Sequence, residues 1–440
     1  MNGQVDQPEP PSSPIQAAPP AVLPLSVQRK LLFTLGLLVV LIAIGSPSGA
    51  LVETAMTLLL KNKLHLTSDQ LSLLRGVAAI PIFISPIYGF IRDRWNPFGM
   101  RDRGIIILFG AVTVLLYVLL TAVAITASSF LISILMLRFA FRFISSSEQG
   151  LTATLGQQNS MSGRISTVFN IVLGVLGAGA TYLGGRLSQT LEHKQIDAAF
   201  HGLFVISALV VVGVILFAWW GPRVIFQNIR NERVGKTTSL QDIGTLFRHK
   251  AIYPALLISA LWAFAPGTDT ALLYYLQGNF HCSDTQWGEF QAIFTLGFMP
   301  TILLFGVMST RVPLGKLLLW GTLIGIPQMI PMLFIRSMND ALAAGLMMGF
   351  LGGIPSAAYL ALTFRSCPPG LQATMLMMTV SLMDLSIRGG DWLGAKLTQL
   401  NGGFLNCVIA ITVVYALILP TLLMVPRGLI SGADGVRPDL

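Results

Sequence analysis

Long apolar runs succeed one another along almost the whole chain, separated by short polar breaks. Some, such as Ile105 to Ile125 and Leu203 to Trp220, contain no charged residue. A helix needs roughly 20 apolar residues to cross a bilayer. The pattern places spans at about 31–60, 71–92, 103–126, 128–155, 162–190, 198–221, 251–279, 286–310, 314–336, 339–365, 371–398 and 402–425. All twelve are expected to be helices, because backbone in lipid must satisfy its own hydrogen bonds and no alternating strand pattern is present. Only 11% of the residues are charged and 53% are hydrophobic, whereas soluble domains carry roughly 25% charged residues. This composition excludes a soluble enzyme, a nucleic-acid-binding domain and a disulfide scaffold. Cys282, Cys367 and Cys407 are odd in number and scattered, so they specify neither a disulfide framework nor a metal site. The chain reads as an all-α, polytopic membrane protein.

The flanking segments set the layout. Residues 1–28 hold seven prolines and few bulky apolar groups, a composition expected to stay disordered. They lack the basic start and short apolar core of a signal peptide, so the first span is expected to stay in the mature protein. The long connection at about 222–250 divides the spans into two six-helix bundles, 29–221 and 251–426, with a tail at 427–440. Within that linker, Ser239 to Arg248 reads as a basic amphipathic helix on the membrane surface. One side of the membrane collects eighteen Lys and Arg residues in its loops and the other seven. Basic loops favour the cytoplasm, so both termini are expected there, with the protein in the plasma (inner) membrane. The same loops account for the net charge of +9.

Ionisable residues fall in only some spans. Glu53 lies in span 1, Arg138, Arg142 and Glu148 in span 4, Asp269 in span 7, and Asp384, Arg388 and Asp391 in span 11. Spans 3, 6, 9 and 12 have none in their apolar stretches. Every third helix can therefore face lipid while the others surround something wet or paired. A charge at mid-membrane costs about 2.5–3.5 kcal/mol on insertion scales, so this set requires an internal cavity or partners. Arg138 and Arg142 share a helical face, as do Asp384, Arg388 and Asp391. Depth puts Asp269 level with Arg388 and Glu53 level with Arg138, which makes each a candidate ion pair. Two roles remain open for these groups: structural pairing, or lining a solute path and binding a coupling proton. Trp262, Phe264, Tyr274, Tyr275 and Tyr359 lie near the expected cavity and offer stacking surfaces for a flat heterocycle. The glycines of span 5 (Gly174, Gly177, Gly179, Gly184 and Gly185) suggest close helix packing.

The connection from Gly89 to Arg103 is dense in charge, with Arg92, Asp93, Arg94, Arg101, Asp102 and Arg103. Gly89 permits close helix approach, and Asp93 and Arg94 suit helix ends. A glycine followed by Asp-Arg and a basic cluster resembles the cytoplasmic loop signature of the major facilitator superfamily. Gly306 through Arg311 to Lys316 is a weaker echo, as a duplicated six-span half would leave. Pro81 to Phe90 with Asp93 and Pro97-Phe98-Gly99 resembles the folate–biopterin transporter family within it. So do Tyr253 to Leu256, Trp262, Ala265 to Asp269, Leu273 to Tyr275, Pro313 to Trp320, and Arg365 to Thr374. That family usually has Trp and Lys where this chain has Ile82 and Ser85, paired aspartates where it has Glu148 and Thr152, and Glu where it has Gln372.

The resemblance implies twelve transmembrane helices in the superfamily fold and a cytoplasmic gate loop at Gly89, Asp93, Arg94, Gly99, Arg101 and Arg103. It implies a secondary transporter working by alternating access, with a small organic solute such as a folate- or pterin-like anion as partner. The candidates for solute or proton binding are Glu53, Arg138, Arg142, Glu148, Trp262, Asp269, Asp384, Arg388 and Asp391. Symport with protons, membrane lipid around a monomer, and no metal, cofactor or nucleic acid complete the expectation. A multidrug or metabolite exporter of the same superfamily is one alternative, and a non-transporting assembly factor another. No nucleophile–base set points to an enzyme.

Overall fold

The computed structural model describes residues 23–47, 77–122, 127–191, 196–226, 244, 246 and 248–435. Every regular element among them is helical. The N-terminal half holds α1 (Leu25–Gly45), α2 (Ser85–Arg94, after a short turn at Ile80–Phe83), α3 (Asp102–Ala122), α4 (Ala127–Gln158), α5 (Ser162–Leu191) and α6 (Ile196–Trp220). The C-terminal half holds α7 (Ile252–Ala263), α8 (Thr270–Phe280), α9 (Asp284–Met308), α10 (Leu314–Gly325), α11 (Met338–Ser366), α12 (Gln372–Leu397) and α13 (Phe404–Ala416). Seven of the described stretches are helices long and apolar enough to cross a membrane. The expected surface helix at Ser239 to Arg248 falls largely outside the described residues. Helix α1 begins at Leu25, inside the segment read as a tail.

Four expected spans are interrupted, span 12 only by a turn at Leu417. Span 7 stops at Phe264 and resumes at Thr270. Pro266 removes a backbone donor there, and Gly267 turns the chain at φ 98°. Span 9 ends as an α-helix at Gly325 and continues as a 3₁₀ turn at Ile330–Phe334, around Pro327 and Pro331. Span 2 is broken at Ile84 between Pro81 and Pro86. Apolar run length carries no information about these breaks.

Small residues pack the helices, in span 5 at Gly174, where a Cβ would run into Met299 of α9, but not at every glycine of that span. A Cβ placed on Gly177 or Gly179 would meet nothing within 4 Å. The closest approach is between α9 and α11. There the Cβ of a substituted Gly297 would fall 2.5 Å from the Leu346 carbonyl oxygen.

The two halves are joined at the end that carries the 92–103 connection, each contributing an aspartate to a helix of the other. Asp93 sits at the start of α12. Its Oδ2 accepts from the Thr374 N–H at 2.8 Å and the Thr374 hydroxyl at 2.7 Å, and its Oδ1 from the Ala373 N–H at 3.3 Å. Arg92 steadies it, donating to Asp93 at 2.9 Å and to both oxygens of Asp102 at 2.6 and 2.7 Å. Gly89 makes the approach possible, since a Cβ there would lie 2.5 Å from the Ala373 carbonyl oxygen.

In the reverse direction Asp434 sits at the start of α5. It accepts from the Gly163 N–H at 3.1 Å and the Arg164 N–H at 2.9 Å. Arg365 at the end of α11 donates to Asp434 at 3.0 Å and to the Leu429 and Gly432 carbonyls at 3.0 and 2.8 Å. The Asp434 side chain is 0% exposed. Its N–H donates to the Ser309 carbonyl at 2.8 Å, and that of Gly435 to the Ser160 carbonyl at 2.7 Å. Residues 427–435, read from sequence as part of a tail, are thus docked between the halves. Deeper in, Ser166 bonds the Ala357 carbonyl at 2.9 Å and Ser381 the Phe83 carbonyl at 2.7 Å.

The other gate-loop residues shape the same end. Arg94 lies over the Phe90 ring at 5.1 Å. Gly99 and Arg101 take left-handed turns at φ 70° and 50°. Arg103 donates to the Ala218 and Trp219 carbonyls at 3.0 and 2.8 Å, closing the last turn of α6. Removing one partner of a buried charge pair costs about 3–5 kcal/mol, far more than the 1.4 kcal/mol or so that shifts an equilibrium tenfold. Asp434→Asn is therefore expected to loosen this end. Pulsed electron–electron resonance between spin labels at Asn96 and Thr310 should show longer distances than in the unsubstituted protein. Unchanged distances would mean that the 427–435 segment does not hold the halves together.

Candidate functional site

The mid-membrane charges gather on α4 and α12, which face each other across the two halves. Arg138 is buried, 5% exposed, and its Nη1 donates to the Ala78 carbonyl at 2.9 Å. Arg142 follows one turn later and is half-buried. Its guanidinium feels Arg138, Asp384 across the interface on α12, and the Tyr88 hydroxyl on α2. On α12, Arg388 donates to Asp384 at 2.8 Å in an i, i+4 pair, with side chains 44% and 22% exposed. Arg388 also lies over the Phe83 ring of the other half at 5.5 Å. Depth alone suggested Asp269 as its partner, and the structure pairs it with Asp384 instead. Position outranks depth here, since residues four apart on one helix are already neighbours.

Asp391 has a different task. Its oxygens accept from the Thr270 N–H at 3.0 Å and the Thr270 hydroxyl at 2.8 Å. The break before α8 leaves that helix with unpaired N–H groups, and Asp391 supplies an acceptor. Asp269 immediately precedes α8, and its carbonyl receives the Leu273 N–H at 3.0 Å. Glu148 on α4 is 6% exposed. Among the described residues no cation or hydrogen-bond donor engages its carboxyl group. Glu53 lies outside the described residues.

Trp262 belongs to the C-terminal half. It stacks on Tyr415 at 4.6 Å and meets Tyr359 edge-on at 5.4 Å. Trp262 and Tyr415 border a cavity of about 160 Å³ next to the breaks in spans 7 and 9, lined also by Thr268, Phe294, Phe298 and Gln328. Gln328 is fixed there by donating to the Met348 carbonyl at 2.9 Å. Tyr274, by contrast, is exposed, and Tyr275 stacks on Phe404 at 4.3 Å.

Chemically the arrangement offers cationic and hydrogen-bonding groups and stacking surfaces. No group of three or more His, Cys, Asp or Glu side chains gathers among the described residues. Cys367, between α11 and α12, is buried, and burial pushes its thiol well above the ordinary range, which makes it unreactive. The site candidates named from sequence omitted Tyr88, Arg92, Asp102, Arg365 and Asp434. Tyr88, Arg92 and Asp102 lie within motifs that already stood out. Asp434 carried no local signal, because its partners are 69 to 271 residues away.

Comparison with known proteins agrees with this geometry. The family model described as Major Facilitator Superfamily matches residues 156–387. The folate-biopterin transporter of Synechocystis sp. is 21% identical over 398 residues, covering 85% of this chain and 78% of that protein. Folate transporter 2 of Plasmodium falciparum is 20% identical over 361 residues, covering 79% of this chain and 77% of its own length. Among solved structures, the superfamily transporter FucP in its outward conformation superposes with a TM-score of 0.67 at 15% identity, covering 90% of this chain and 98% of FucP. The human organic anion transporter MFSD10 (TETRAN) superposes with a TM-score of 0.64 at 14% identity, covering 91% of this chain and 100% of its own. The chain is thus an integral, multi-pass membrane protein and a transporter rather than an enzyme, and it belongs to the Major Facilitator Superfamily.

Proposed function

We propose that this transporter moves a folate- or pterin-like organic anion by alternating access, its two bundles (29–221 and 251–426) rocking about the site between α4 and α12. The observation that carries the reading is the mid-membrane cluster in which Arg142 of one half and Arg388 of the other meet at the Asp384 carboxylate. Arg142 and Arg388 together exceed the charge of the Asp384 carboxylate they share, so the wall favours an anionic solute. The names of the folate-transporting relatives supply the chemical class, and the aromatic cavity beside Trp262 suits a flat heterocycle. The basic loops support a docked end on the cytoplasmic side of the plasma (inner) membrane, with both termini there. The conformation is then outward-facing. A monomer surrounded by lipid is the working unit.

Coupling to protons follows from Glu148. A buried carboxyl group with no cation beside it is stable only when protonated, or when something approaches to bond it. Asp384 and Asp391 accept from Arg388 and Thr270, whereas the Glu148 carboxyl has no such donor among the described residues and is open to take and release a proton.

The test is uptake by the purified protein in liposomes of labelled folate, biopterin and an unrelated organic anion, with and without an inward proton gradient. Gradient-stimulated uptake of folate or biopterin is the expected result. No uptake of either by folded protein retires the solute class and leaves the family untouched. Glu148→Gln is expected to remove the stimulation by the gradient, about tenfold or more, while solute exchange without a gradient persists. Stimulation retained in this variant assigns coupling elsewhere.

A further inference from the structure

The three arginines are not equivalent. Arg388 is neutralised by Asp384 at 2.8 Å. Arg138 is buried and engaged by the Ala78 carbonyl. Arg142 has neither arrangement. Among the described residues no carboxylate comes within ion-pair distance of it and no acceptor receives its N–H groups, although a guanidinium carries five such donors in a planar fork. It is half-buried, so water on its open side replaces only part of what it lacks.

A second donor in the same place is also unsatisfied. Tyr88 is 4% exposed, and its buried hydroxyl has no hydrogen-bond partner. Its ring is fixed edge-on to Phe143 at 4.9 Å and tilted against Phe139 at 6.2 Å. Those two residues flank Arg142 on α4, and the Tyr88 hydroxyl and the Arg142 guanidinium lie within electrostatic reach of one another. Buried polar groups are nearly always paired. An unpaired hydroxyl beside an unpaired guanidinium lacks one thing, an acceptor with at least two lone-pair-bearing oxygens. Asp384 also faces Arg142, but Arg388 already holds it.

We propose that Arg142 and the Tyr88 hydroxyl form the subsite for a carboxylate of the transported solute. The planar fork takes both oxygens in a bidentate pair, and the phenol donates a further hydrogen bond. The inference rests on the transport reading above and narrows it. Folate carries a glutamate moiety and satisfies the subsite. Biopterin has no carboxylate and leaves it empty, so carboxylated solutes are preferred.

The test compares uptake of labelled folate and labelled biopterin by the full chain in liposomes, for the unsubstituted protein and for Arg142→Gln, Arg142→Lys and Tyr88→Phe. Arg142→Gln is expected to raise the KM for folate about tenfold or more, with maximal rate per folded transporter little changed and the KM for biopterin unmoved. Arg142→Lys, which keeps charge but loses the fork, falls between, and Tyr88→Phe raises the folate KM by roughly threefold to tenfold. Equal effects on folate and biopterin, or a folate KM unmoved by Arg142→Gln, overturn the proposal. Should the unsubstituted protein transport neither compound, the solute class fails, and the subsite is read separately with p-aminobenzoylglutamate, which bears carboxylates but no pterin. Thermal stabilisation by this probe that disappears in Arg142→Gln upholds the subsite. Stabilisation that survives the substitution, or is absent from the unsubstituted protein, refutes it.

Discussion

A helix that begins at a membrane surface exposes backbone N–H groups that its own turns cannot satisfy, and the neighbouring half of a transporter can supply the acceptor. This chain uses that constraint twice. Asp93 of the N-terminal half bonds the first turn of α12, and Asp434 of the C-terminal half bonds the first turn of α5. Each aspartate is steadied by an arginine of its own half, Arg92 or Arg365. The two aspartates do the same job in opposite directions, yet they come from unlike places in sequence. In the second half the connection after α9 offers Ser309, Thr310 and Arg311 where an aspartate would be needed. The residue that does the work comes from beyond the last helix.

Closure of this kind suits a moving part. Hydrogen bonds to a helix terminus are directional and short-ranged, so a small separation of the halves breaks them together and lets water take their place. The apolar packing within each half, as where Gly297 of α9 meets α11, is insensitive to that separation. Rigid halves joined by polar contacts at one end can therefore rock without unpacking. The breaks in spans 2 and 7 bring polar backbone to the depth where the ionisable side chains cluster. Asp391 satisfies one such break, while Phe83, beside another, lies under Arg388.

Much of this was legible from residue type and spacing. Helix positions follow from the apolar runs, with α3, α6 and α9 starting within two residues of the expected places. The contact that Gly89 and Asp93 make with α12 is foreshadowed because glycine and an Asp-Arg pair are unusual in a short, otherwise basic loop. What escaped depends on long-range geometry or on local chemistry hidden by composition. Pro266 sits in an apolar run that a hydropathy average reads as continuous. Asp434 lies in a polar tail, and only its contact with Gly163 and Arg365 distinguishes it from any exposed aspartate. Arg388 has two carboxylates on its own helix face, and deciding that Asp384 rather than Asp269 pairs with it required coordinates. The isolation of Arg142 is invisible in sequence for the same reason, since lack of a partner is a property of the packed state.

That isolation links the site to the closed end. The Asp384–Arg388 pair is neutral, and Arg138 faces the packed interior of its own half. An empty site therefore keeps the net positive charge of Arg142 between the halves, in contact with water through the open side. Bringing the halves together over it would strip that water from an unpaired guanidinium, and the cost of desolvating a charge opposes the movement. On the proposed reading, a carboxylate bound at Arg142 would remove the charge and replace the water, so the loaded site would close where the empty one is held back. Charge neutralisation by the solute and the breakable bonds of Asp93 and Asp434 then act on the same equilibrium from opposite ends of the molecule. A transporter built this way ties its change of conformation to the presence of its cargo with no contact running directly between gate and site.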